Sequence, residues 1–154
     1  MQFHFLNSKE LKPIHLALVD QFGFTGHLEG IFHINAKSKV YLAKRSIVEA
    51  PLDQLNVTMI GMYLCEWRLG TLRLSIEGSQ LLGPHCTKNI VDISDHDVAT
   101  WMRGEDVPYT GSMTGYVILR NGSDYLGCGK VGKDSILNMV GKGRRVKIIE
   151  PTKV

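Results

Sequence analysis

Seven glycines fall between Gly115 and Val146, at positions 115, 122, 127, 129, 132, 141 and 143. No helix of ordinary length survives that density, because each interior glycine costs about 1 kcal/mol relative to alanine. Short strands remain. Gly115 to Arg120 reads as a buried strand, and Asn121-Gly122 is the strongest short hairpin signal in the chain. Ser123 to Val131 returns, and Arg145 to Glu150 closes as a final strand. The segment predicts a small β-barrel with a basic, glycine-loosened rim.

The same residues imitate a nucleotide loop. Gly127 to Gly132 matches GxGxxG, and Gly127 to Lys133 begins GxxxxGK. Both motifs work by aiming backbone N–H groups and a helix N-terminus at phosphate. Here Asp134 stands where a magnesium-binding Ser or Thr is needed, and its carboxylate repels phosphate. Ser135 to Val140 is too short to be the required helix, and no βαβ unit can be completed. Other chemistry is weaker still. Gly111 to Gly115 lacks a central serine for GxSxG. The six histidines show no metal-ligand spacing, and no CxxC occurs. No cofactor is expected.

Charge is distributed unevenly. The chain of 154 residues carries a net +3. From Arg120 onward eight basic residues (Arg120, Lys130, Lys133, Lys142, Arg144, Arg145, Lys147, Lys153) face three acidic ones (Asp124, Asp134, Glu150), giving +5. From Lys88 to Leu119 two basic residues face five acidic ones, giving −3. A basic tail beside an acidic stretch suits a polyanion partner. Arg120, Lys130, Lys133 and the Lys142 to Val146 group can lie on one end or edge of the barrel and neutralise phosphates, with the glycines admitting a backbone closely. Tyr109, Tyr116 and Tyr125 are candidate stacking groups, Tyr116 reading more as core.

Upstream the pattern mixes helix and strand. Leu11, Ile14, Leu18 and Phe22 give Ser8 to Phe22 an apolar helical face that Gly23 ends. Leu28 to Ile34 and Lys39 to Ala43 form a hairpin. Pro51 interrupts a short helix around Ile47 to Leu55. Val57 to Arg68 and Thr71 to Ile76 follow as strands, then a helical turn from Ser79 to Leu82 before Gly83-Pro84. Asn89 to Ile93 is a short strand. Ser94 to Asp97 caps a helix with apolar Val98, Trp101 and Met102, stopped at Gly104. Three separated cysteines, Cys65, Cys86 and Cys128, fit a reducing compartment, and no apolar run spans a membrane. The N-terminus does not read as a signal peptide, so a cytoplasmic location is expected.

The order of these pieces resembles a PUA domain, an RNA-binding β-barrel. The resemblance rests on Asn89 to Ile93, Trp101 to Val107, Gly115 to Leu119, Leu126 to Lys130 and Lys142 to Val146. Gly61 to Leu64 and Leu72 to Gly78 resemble the pre-PUA domain that precedes it in a large-subunit ribosome biogenesis factor of eukaryotes and archaea. The chain is also similar to the RNA-binding extension of the Nol/Nop/Sun rRNA cytosine-5 methyltransferases. The resemblance implies an α+β fold. A pre-PUA-like α+β domain over residues 1–86 precedes a PUA-like pseudo-barrel of mixed strands with a short helix over 87–154. It implies RNA contacts from Arg103 and Gly104 at the helix end and from Lys142, Arg144 and Arg145 near the last strand. The loop Pro108-Tyr109-Thr110-Gly111 departs from the tighter Pro-Gly of many PUA domains.

The expected function is binding of structured rRNA or tRNA in ribosome biogenesis or RNA modification, without catalysis. An RNA-modifying enzyme or ribosome assembly factor is the expected protein partner. The alternatives are an adaptor that recruits such an enzyme and, more distantly, a small nucleotide-binding enzyme.

Overall fold

The computed structural model describes residues 3–147. Helix α1 spans Ser8–Phe22, as its periodicity predicts. Asn7 caps it, accepting from the Glu10 N–H at 2.9 Å while the Glu10 carboxylate receives the Asn7 N–H. Gly23, at φ +60°, ends it in the left-handed region. Ile14, Leu18 and Phe22 are fully buried, each contributing about 1.5–3 kcal/mol.

That face packs on an antiparallel sheet. Its strands are β1 (His4–Phe5), β2 (Ile31–Ile34), β3 (Lys39–Ala43), β4 (Met62–Arg68) and β5 (Thr71–Leu74), adjacent in that order. Phe32, Val40, Leu64, Cys65, Leu72 and Leu74 join the buried face of α1 in one hydrophobic cluster. Several elements differ from expectation. Strand β4 starts at Met62, because Gly61 takes φ +78° with its Cα against the Leu42 carbonyl. Strand β5 stops at Leu74, because Ser75 caps a longer helix, α2 (Ile76–Leu82), by accepting from the Gly78 N–H. The expected helix near Pro51 is two short 3-10 turns, Arg45–Glu49 and Leu52–Gln54.

The second sheet runs in the order β6 (Ile90–Asp92), β8 (Tyr116–Asn121), β9 (Asp124–Val131), β10 (Ser135–Leu137), β7 (Val107–Pro108). Strand β6 pairs with β8 in parallel, and the other pairs are antiparallel. Helix α3 (Asp95–Met102) makes the crossover between β6 and the later strands, capped by Ser94 accepting from the Asp97 N–H. Trp101, Val107, Val117, Leu119 and Ile136 fill the interior, and the Trp101 Nε1–H donates to the Leu126 carbonyl at 2.9 Å. The α+β class and the mixed pseudo-barrel with its short helix are as expected. The closing strand is not. Lys142–Arg144 is a 3-10 turn, and residues 145–147 join no ladder; residues 148–150 lie outside the described range.

The two sheets share a core. Ile118 and Cys128 face away from the barrel interior and pack with Leu64, Cys65 and Leu74. Ser79 of α2 is fully buried at this seam, and its Oγ accepts from the Gly127 N–H at 2.8 Å. The N–H groups of Thr87 and Lys88 donate to the Phe22 carbonyl at the end of α1.

Candidate nucleic-acid interface

Two of the glycines in the false nucleotide motif serve packing. Gly127 and Gly129 are buried in β9. A Cβ on Gly129 would come within 2.7 Å of the Trp101 ring, and one on Gly127 would meet Ile76 at 3.3 Å. Neither is open to a phosphate. Gly141 and Gly143 are exposed with free space around them, as are Gly115 and Gly122 at the ends of β8, so these glycines rather than those of β9 admit a close backbone approach.

The basic residues do not share one end of the barrel. Arg120 pairs with Tyr125 beside the β8–β9 turn, whereas Lys130 pairs with Tyr116 at the other end of that ladder. Four or so residues at about 3.3 Å each separate them by roughly 13 Å. Arg120 is also engaged. Its guanidinium grips Asp92 at 2.6 and 3.0 Å, which holds the Asp92 carboxyl below its ordinary range. Lys133 is exposed in the β9–β10 turn, near Lys130.

Of the remaining residues, Arg103, Lys142 and Arg145 gather near Gly104 and Arg144 does not. Arg103 is the C-cap of α3, with its side chain on Glu105 at 3.2 Å. Gly104 follows at φ +92°, and the Arg145 side chain lies directly over it. Arg145 Nε donates to the Val140 carbonyl at 3.2 Å, and the Val146 N–H donates to the Met102 carbonyl at 2.7 Å. Asn138 anchors the start of this segment, its side-chain amide donating to the Trp101 and Glu105 carbonyls. Lys142 is exposed on the 3-10 turn. Its neighbour Arg144 reaches the other way, pairing with Glu77 of α2. Among the described residues no ion pair involves Lys130, Lys133, Lys142, Arg145 or Lys147.

Residues 88–146 match the family model described as the methyltransferase RsmF PUA domain. This part of the chain is a PUA domain. It is related to the RNA-binding extensions of the Nol/Nop/Sun methyltransferases. No curated protein sequence matches the chain.

The tyrosines proposed for stacking are occupied. Tyr116 and Tyr125 pack against the shared core, and the Tyr109 hydroxyl accepts from the Met113 N–H at 3.0 Å. A different aromatic set went unread, because it is assembled across strands. Phe5, His33, Tyr41 and Tyr63 are successive register partners on the sheet face opposite α1. His33 and Tyr41 stack at 4.9 Å, and His33 Nε2 is held at 2.8 Å from the Ile60 carbonyl oxygen. The row ends at Tyr63, beside a cleft between this sheet and the PUA domain. Lys39, Arg73 and Arg144 line that cleft as well. Among the described residues no cluster of ligating side chains could hold a metal, and no helix is long and apolar enough to cross a membrane.

Proposed function

We propose that the chain binds structured rRNA or tRNA through the strip formed by Arg103, Gly104, Lys142 and Arg145, without acting on it chemically. One observation carries the reading. Arg145 crosses Gly104 at the end of α3 while Lys142 and Lys147 stand exposed beside it, so cations from two segments meet on one ridge. The family match over residues 88–146 supports RNA in general as the partner. Lys130 and Lys133 give a second, separate phosphate contact. A place in ribosome biogenesis or RNA modification follows from this reading, with any modification chemistry coming from a partner enzyme. Three buried free thiols fit a reducing compartment such as the cytoplasm.

The test is binding to purified ribosomal and transfer RNA over a range of salt. The double variant Lys142→Glu, Arg145→Glu loses affinity for both, and its log–log salt slope falls by about 2. Unchanged affinity and slope refute this face. The adaptor reading has one observation in its favour, the exposed Leu16 and Val19 on the outer side of α1. Capture of a protein that survives nuclease treatment would select it.

A further inference from the structure

The cleft between the first sheet and the PUA domain has a volume of about 260 Å³. That is below the roughly 300–1,000 Å³ of common ligand pockets, and it suits one base better than a duplex. One wall carries Tyr63, half-buried at the end of the aromatic row, with Tyr41 behind it at a centroid distance of 5.7 Å. Lys39 Nζ stands 5.2 Å from the Tyr63 ring centre. Arg144 projects from the opposite wall onto Glu77. The charges around the cleft are not equivalent. Glu66 holds Arg73 at 2.6 Å and Glu77 holds Arg144, whereas no ion pair among the described residues involves Lys39.

We infer that this cleft receives one unpaired nucleotide of the bound RNA, a reading that rests on the RNA-binding function proposed above. The base lies against the Tyr63 ring, a face that any base can use. Lys39 swings from the ring to the phosphate. Arg144 turns from Glu77 to a neighbouring phosphate, and the freed carboxylate accepts an N–H of the base. The route is short. Arg144 and Arg145 are consecutive, one at the cleft and one on the Gly104 ridge, so a strand leaving the ridge arrives at the cleft. Paired RNA cannot follow it in, because a base reaches a ring face only when unstacked.

The experiment uses the full chain and two fluorescent RNAs, a blunt hairpin and the same hairpin with a single-stranded tail of adenosines and uridines. Tyr63→Ala and Lys39→Gln each weaken binding of the tailed hairpin about tenfold. Both leave the blunt hairpin unchanged, and Tyr63→Phe keeps full affinity. If these variants bind both probes like the parent while Lys142→Glu, Arg145→Glu weakens both, the cleft assignment fails and RNA binding stands. Equal losses on both probes from Tyr63→Ala, with none from Lys39→Gln, indicate a folding defect and also overturn it. Should the parent bind neither RNA, both proposals fall. Displacement of the tail by free AMP or UMP at lower concentration than the tailed RNA itself assigns the cleft to a free nucleotide instead, which overturns the RNA source.

Discussion

The Arg145 side chain lies across the Cα of Gly104, at a distance that leaves no room for a methyl group. The backbone there adds a second constraint, since φ +92° is a conformation that side-chain-bearing residues rarely adopt. Gly104→Ala is therefore expected to cost about 1–3 kcal/mol and to lift Arg145 from its seat. Thermal unfolding gives the first quantity. The second shows as an RNA-affinity loss matching that of Arg145→Ala, measured well below the melting transition.

Ser79 carries the seam between the two sheets. Its hydroxyl donates to the Ile76 carbonyl at 2.7 Å and accepts from the Gly127 N–H at 2.8 Å, with no exposed surface. Ser79→Ala leaves the Gly127 N–H without that partner and should cost about 1–3 kcal/mol. The shared core makes unfolding a single event. Trp67 reports the first sheet and Trp101 the barrel, so urea midpoints followed through each in single-tryptophan variants should coincide with the circular dichroism midpoint of the same variant. Separate midpoints would contradict a common core.

Alkaline pH should weaken the fold through its thiols. Burial raises Cys86 from 9.0 to about 11 and Cys128 to about 12, and pushes Cys65 higher. In the unfolded chain these groups ionise near pH 9, so the native state retains protons that the unfolded state loses. Stability is then complete below pH 9 and falls above it, by about 1.4 kcal/mol per pH unit for each such thiol. Cys65→Ala with Cys128→Ala should flatten the fall between pH 9 and 11, read from urea unfolding across that range. The same burial keeps all three thiols unreactive toward iodoacetamide in the native protein at neutral pH.

Arg120 and Lys142 should separate cleanly in RNA binding. Arg120 is clamped by Asp92, so Arg120→Ala should change affinity less than twofold and leave the salt slope as it was. Lys142→Ala should reduce the slope by about 1. A slope change for Arg120→Ala would mean that the pair with Asp92 opens on the RNA.

Local signals in the chain were strong and were obeyed. The α1 spacing with Gly23, the Ser94 cap and the Asn121-Gly122 hairpin each depend on neighbours within a few residues, and all appear. The three-residue strand β6 was legible, whereas β7 and β10 were not. Strands β7 and β10 owe their form to pairing with each other and with β9, a condition no short window contains. Of the expected last strand, the described residues 145–147 join no ladder, and Val146 docks on α3 by donating its N–H to the Met102 carbonyl. For the site, composition marked the basic tail but not its geometry. Only folding shows Arg120 neutralised, Arg144 and Arg145 reaching to opposite sides, and Tyr63 carried to the cleft through a register spanning four strands.

Ile118 and Cys128 face outward from the barrel and are covered by the first sheet. A barrel excised along its own strand order would bare both to water, and exposed apolar strand faces invite aggregation. This PUA domain is therefore not freely portable. Joined to another protein, it must bring its companion sheet along or find a replacement surface of the same shape.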